Sequence, residues 1–534
     1  MSQNSMLVSD LAQKDADSDR GLPWSGAPGR APILLSPVVS AANTKSIFRL
    51  PSEILSELFL HALPDHWPSA LAGRRPLYLA QVCRHWREVA RQTPQIWSAI
   101  TINDEQNPPA MYEAEIMEEL ARTGATPLAV FIDMANDGDH LGYPSRWPPG
   151  SVWKGSERVW DALCAQSHRW SACGLYFLPP SAFAPNHRVT FPHLRHIGLA
   201  MNPPDPEVAC SLPLHFFADA LHVDSLQLHY CRKPPSRLVL PPTWALAALS
   251  ITFNDVIFDQ VFPLHPCMPV IMSSSRTLRS LRLSNQFYGR FPPLNEHVLF
   301  PALEYLYLDD AGIQICRLIV APNLKGVRLS GRTVTSEDLG NEITAFEILL
   351  DRSSGCPSLQ HLEIRVLRAV SLSRLFILLE RLPSLQYLRL FGGYLPENEH
   401  HASPMALRML TRTTDPESCR FLPNLIRLHI EIGQNTALLT DEYLVLLRDM
   451  LASRARPASA MGKASAAATS HAITAIPLSA GTTSSSDAMN TDTAPATLRD
   501  FVSDKLELLK DLPPGLQGYL QPVEYDSYGE VYRY

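Results

Sequence analysis

The 534-residue chain lacks a Cys-x-x-Cys pair, a long apolar run and a basic stripe, and each absence removes a class of function. Its nine cysteines stand singly, at 83, 164, 173, 210, 231, 267, 316, 356 and 419. The closest, Cys164 and Cys173, are too far apart for a common zinc spacing. An odd number in a reducing compartment reads as free, mostly buried thiols. No stretch approaches the roughly 20 apolar residues that cross a bilayer. The first residues, MSQNSMLVSDLAQKDADSDR, are acidic where a secretory signal is apolar. The expected location is therefore the cytoplasm, the nucleus or both. The formal net charge is -7, and Arg74-Arg75 is the nearest thing to a basic cluster. Nucleic-acid binding through an electrostatic footprint is not expected.

Chemical motifs are missing too. There is no Gly-x-Gly-x-x-Gly or Gly-Lys-Ser/Thr loop to cradle phosphates, no Gly-x-Ser-x-Gly elbow and no His-Glu-x-x-His. His400-His401, with Glu397 and Glu399, lies in the polar loop GGYLPENEHHASP, and adjacent histidines share no face of a strand or helix. His193 and His196 read as surface residues. No metal, cofactor or catalytic residue is expected.

What is present is a 46% hydrophobic, 19% charged composition, that of a mostly globular protein too long for one compact core. Between Leu50 and Trp97, apolar residues recur at helical spacing in two stretches. One runs Leu50, Ile54, Leu55, Leu58, Phe59; the other Leu79, Val82, Cys83, Trp86, Val89, Ala90. Pro51 suits a first helical turn, and Pro94 ends the second stretch. So small a unit has little interior, so part of its apolar surface is available to a partner. The same pattern also suits two core helices of a larger helical domain.

The wording of this segment, LPSEIL, then LF, then VCRHWREVA and P-x-I-W, resembles the F-box. The Pro64–Pro76 insert resembles the loop found in many fungal members. The resemblance covers under a tenth of the chain. It implies binding to the Skp adaptor and, through it, to a cullin-based ubiquitin ligase. The residues matching the family signature are Leu50, Pro51, Ile54, Leu55, Leu58, Val82, Cys83, Trp86 and Trp97. It further implies that the rest of the chain captures a target protein, with no membrane or nucleic-acid partner.

Downstream, Leu-x-x-Leu-x-Leu returns nine times, from His193, Val223, Leu246, Leu278, Leu303, Leu324, Leu359, Leu385 and Leu425. Spacings between first apolar positions run from 21 (Leu303 to Leu324) to 40 (Leu385 to Leu425). The last two leucines of each copy point to one side of a short strand, and stacked copies bury a continuous ladder. The pattern is similar to degenerate leucine-rich repeats of about 20–29 residues. Ile100–Ile102, Pro127–Asp133 and the Arg169 segment read as earlier strands; Ser373–Leu382 and the Asp441 segment read as helices. With the F-box, the order resembles the large fungal family of F-box proteins with such repeats. The family's Asn/Cys position holds Gln286, Ala311, Arg332, Leu367, Gly393 and Gly433, which predicts an irregular array.

The expected fold class is thus an α+β or α/β solenoid. A disordered N-terminal segment (1–45) is followed by a helical F-box (46–98) and a repeat array (99–453). A disordered Ala/Ser/Thr-rich insert (454–496) and a final coil and tail (497–534) complete it. Residues between the buried leucines face outward: Arg282, Tyr305, Tyr307, Arg328, His361, Arg365, Tyr387, Arg389 and Arg427 among them. Tyr and Arg are enriched at binding hot spots, and an acidic or phosphorylated target segment fits them. Solubility and cross-strand pairing favour the same residues. An interaction scaffold outside any ligase is the other reading.

Overall fold

The computed structural model describes residues 50–62, 77–103, 109–133, 157–176, 178, 180–184, 188–201, 211–230, 238–253, 265–285, 297–331, 342–365, 372–391, 404–413, 421–431, 440–455, 498, 500–503 and 520–521. The expectations for 1–45, for most of the 454–496 insert, for His400-His401 and for the Pro64–Pro76 insert lie outside them.

Alternation of leucine with polar residues makes extended segments with one greasy side. The strands are β1 (Ala99–Asn103), β2 (Leu128–Asp133), β3 (Trp170–Tyr176), β4 (His196–Met201), β5 (Ser225–Tyr230), β6 (Ala248–Phe253), β7 (Ser280–Asn285), β8 (Val298–Leu299), β9 (Tyr305–Asp309), β10 (Ile319–Val320), β11 (Gly326–Ser330), β12 (His361–Arg365), β13 (Tyr387–Phe391), β14 (Arg427–Glu431), β15 (Asp500–Ser503) and β16 (Leu520–Gln521). Strands β8 and β10 pair with each other; the other fourteen form one parallel sheet in chain order. Each copy of the Leu-x-x-Leu-x-Leu pattern overlaps one of these strands. The chain is therefore mixed helix and strand, built around a large parallel sheet.

Parallel neighbours need a crossover between them. Helices α1 (Ser52–His61), α2 (Leu77–Gln81) and α3 (Arg84–Gln92) precede the sheet. The crossovers contain α4 (Pro109–Arg122), α5 (Glu157–Ala165), α6 (Ser211–Phe216), α7 (Met268–Ser273), α8 (Glu342–Arg352), α9 (Leu372–Glu380), α10 (Pro404–Leu410) and α11 (Asp441–Ala455). The helices read from Ser373 and Asp441 are α9 and α11. Among the described residues no helix is long and apolar enough to cross a membrane.

Register stacks the leucines. Leu281, Leu306, Val327, Leu362, Leu388 and Leu428 are successive partners, as are Leu308, Leu329, Ile364, Leu390 and Ile430. All are buried, together with Leu375, Leu379, Leu407 and Leu447 of the crossover helices. Burying a leucine contributes about 1.5–3 kcal/mol, so the ladder is the main source of cohesion.

Two polar devices align the units. The residue entering each strand donates its backbone N–H to its counterpart one unit back. Glu304 reaches the Arg279 carbonyl, Lys325 that of Glu304, Gln360 that of Lys325, Gln386 that of Gln360 and Ile426 that of Gln386, at 2.8–2.9 Å. Beside this runs a side-chain stitch from the residue just before the first leucine of a copy. Thr277 Oγ1 donates to Leu246 O (2.7 Å), Asn323 Nδ2 to Pro301 O (2.8 Å), Ser384 Oγ to Leu359 O (2.8 Å) and Asn424 Nδ2 to Pro383 O (3.0 Å). Each of these bonds ties one strand's lead-in to a carbonyl of an earlier segment.

Arg454, read from the sequence as the first residue of a disordered insert, belongs instead to α11. It is 1% exposed, and its guanidinium donates to the carbonyls of Leu410 (2.6 Å), Leu422 and Phe421 (both 3.4 Å). Those acceptors lie 32 to 44 residues back, out of reach of any local reading. Arg454→Met keeps most of the volume but strands the carbonyls. It is expected to cost about 2–3 kcal/mol, seen as a lower urea midpoint.

The chain divides into two units, Met1–Leu55 and Ser56–Tyr534.

Candidate functional site

In the first unit the described residues are 50–55. Pro51 sits immediately before α1, and its carbonyl accepts from Leu55 N at 3.0 Å. Leu50 is half-buried, Pro51 is exposed, Ile54 is 49% exposed and Leu55 is fully buried.

In the second unit, the stretch read as one helix from Leu79 to Ala90 is two helices. The chain breaks at Val82–Cys83, where Cys83 adopts extended backbone and caps α3, its Sγ accepting from Trp86 N at 3.4 Å. The sulfur fills the place of a serine or aspartate cap. Cys83 is half-buried, so part of its role is to start α3. The Trp86 ring, half-buried, packs against Phe59 with centroids 5.1 Å apart. Ser56 Oγ donates to Thr93 Oγ1 (3.0 Å), which donates to Val89 O (2.8 Å), tying the later turns of α1 to the end of α3. Trp97 is 2% exposed: its indole donates to Ala90 O at 2.7 Å, and the Arg122 guanidinium lies 4.6 Å over its ring. Leu55 and Trp97 therefore act as interior residues. Leu58, at 46%, and Val82, at 50%, are left facing water.

The second candidate surface is the face of the sheet opposite the leucines. Register sorts its side chains into rows. One runs Ser280, Tyr305, Gly326, His361, Tyr387, Arg427; the next runs Arg282, Tyr307, Arg328, Glu363, Arg389, His429. Arg365 stands in the row beyond, beside Ser330 and Phe391. All nine target-face residues read from the sequence occupy these rows. Their burial differs widely. His361 and Arg427 are exposed, Tyr305 is 37% exposed, and Arg282, Tyr307, Arg328, Arg365 and Tyr387 are half-buried. Arg389 is withdrawn to 1% exposure.

Glu363 is the electrostatic centre. Its Oε2 lies 3.7 Å from Arg389 Nη1, 3.8 Å from Arg328 Nε and 4.0 Å from Arg365 Nε. Among the described side chains on this face of β7, β9 and β11–β14, five arginines stand against the two carboxylates Asp309 and Glu363. The excess reaches the histidines. Burial first, then Arg389 and Arg365, push His429 down to about 3. Burial and Arg282 lower His229 to about 4. His361 is lowered by burial and by Arg427, with Glu363 opposing.

His429 supplies a pH prediction. An unfolded histidine titrates near 6.5, so below that value the unfolded chain binds a proton that the native state refuses until about 3. The stability contributed by neutral His429 is whole above 6.5 and falls as pH drops, by roughly 1.4 kcal/mol per unit at the steepest. His429→Gln should flatten the fall between about pH 6 and pH 4 by close to one proton in urea titrations. An unchanged slope contradicts it.

Glycines, at positions no sequence motif specifies, floor the face. A Cβ on Gly326 would stand 2.9 Å from Tyr305 Cδ1, one on Gly174 2.6 Å from Phe131 Cδ2, and one on Gly198 2.8 Å from the Tyr176 hydroxyl. Each glycine lets a neighbouring ring lie down on the sheet; a small residue at an outward strand position is the signal that marks them. His193 and His196 are both exposed, and His196 Nδ1 lies 3.4 Å from Asp224 Oδ1. Among the described residues no His/Cys/Asp/Glu group is placed to hold a metal. Cys164, Cys173, Cys316 and Cys356 are buried thiols whose pKa burial raises.

Compared with known proteins, the chain matches no family model and no curated sequence.

Proposed function

We propose that the chain is a substrate-recognition subunit of a cullin-based ubiquitin ligase. In this reading its early helices form an F-box that docks on the Skp adaptor. The sheet is a degenerate leucine-rich-repeat solenoid, and its polar face presents a target protein to the ligase. The chain performs no catalysis and needs no cofactor; the chemistry belongs to other subunits.

The observation that carries the proposal is the exposure of Leu58 and Val82, large apolar side chains at F-box signature positions. Leaving so much apolar surface in water is unfavourable, by about 25 cal/mol per Å2, unless a partner covers it. The ordered array of strands, each aligned to the last, supports the second half of the reading, because stacked units make extended binding faces.

Co-purification tests it. The full chain, mixed with recombinant Skp adaptor and cullin, is expected to bring both down. Capture of neither rejects the ligase reading. Target binding without either favours the scaffold reading.

A further inference from the structure

We propose that the strip formed by Tyr305, His361, Tyr387 and Arg427, with the Arg328 and Arg365 guanidiniums beside it, holds an extended protein segment rich in aspartate and glutamate. This takes the sheet face as the target surface, as above, but does not depend on adaptor docking.

The strip is continuous. Its residues occupy successive register positions across β9, β11, β12, β13 and β14. Parallel strands lie about 4.8 Å apart, so a peptide crossing them meets a new side chain every one to two residues. Gly326 removes the one Cβ that would interrupt the row. The Tyr305 ring leans over it, with Cδ1 2.9 Å from where that Cβ would stand, and the same point is 3.6 Å from His361 Cβ. The His361 and Tyr387 rings follow at 5.8 Å, and the row ends on exposed Arg427. Tyrosine offers large contact area at low entropic cost, and its neighbours supply positive charge.

The charge distribution selects the occupant. Glu363 already sits within 4.0 Å of three guanidiniums, so the positive field has no empty focus for a dianion. The face's five arginines, those three included, are spread over five strands, β7 and β11 to β14. Single carboxylates spaced along a chain match such a field, whereas a phosphate in its centre meets Glu363. A nucleic acid would also meet a protein of net charge -7.

Fluorescence anisotropy of the full chain with a labelled peptide of alternating glutamate and tyrosine reads this directly. Saturable, salt-weakened binding is expected, reduced about tenfold or more when glutamine replaces glutamate in the peptide. Arg427→Glu and Tyr305→Ala, at exposed positions, should each weaken it about three- to tenfold with unchanged circular dichroism. Equal binding of the glutamine peptide, or an unchanged Kd in both variants, overturns the proposal. So does tighter binding of a phosphoserine peptide or of an oligouridylate. Adaptor capture is measured on the same preparation. Peptide binding without it supports the strip and removes the ligase reading; capture without peptide binding overturns the strip alone.

Discussion

Leu58→Glu and Val82→Glu are each expected to abolish capture of the Skp adaptor while leaving the protein folded. Both side chains are about half exposed, at 46% and 50%, so a carboxylate there is solvated in the unbound chain and costs the fold little. In a complex the same carboxylate would be desolvated against apolar surface with no counter-charge. Losing an interface anchor costs about 2–4 kcal/mol, or roughly 30- to 1,000-fold in affinity. Trp86→Ala is a less clean probe, because the ring also packs on Phe59 at 5.1 Å and its loss loosens the module itself. Thermal melts of the glutamate variants should match the parent chain. Undiminished adaptor binding by both would remove the docking face from the proposal.

Trp170→Ala is expected to produce the largest loss of stability. The ring is fully buried between Trp160, at 6.2 Å, and Phe191, at 5.5 Å, and its indole donates to Leu163 O at 3.2 Å. Removing it leaves a cavity and an orphaned carbonyl, together about 3–5 kcal/mol. The sheet runs in chain order, so each strand touches only its neighbours and the damage should stay local. Amide exchange in β2–β4 should accelerate, while β12–β14 keep their protection. Uniform acceleration across the sheet would show that the strands unfold as one unit; no change in β2–β4 would show that the pocket collapses around the loss.

The behaviour of individual residues separates local from long-range information. Leu-x-Leu alternation is a two-residue signal, so strand positions and the side each residue faces were legible for every copy from His193 to Leu425. The break between α2 and α3 was not. Hydrophobic periodicity runs through Cys83 unbroken, and the cap depends on backbone geometry that periodicity does not register. Trp86 and Trp97 look alike in the motif, yet one is half-buried and the other wholly interior, because Arg122 and the Ala90 carbonyl come to the second. Asn323, Ser384 and Asn424 each stand just before a copy's first leucine, but what they do needs a carbonyl of an earlier segment beside them.

The order of apolar and polar residues along the chain thus dictates an α/β architecture, where its strands fall and which side chains share a face, since each of these follows from spacing over a few bonds. How deep a side chain on that face lies is set elsewhere. Arg389 is enclosed and Arg427 is open, although both are arginines on neighbouring strands of the same face. The grouping of three guanidiniums on Glu363, and the descent of His429 to about 3, likewise arise only when β11 to β14 stand side by side. Solvent exclusion and Coulomb energy depend on distances between residues far apart in sequence, and the chain acquires those distances only on folding.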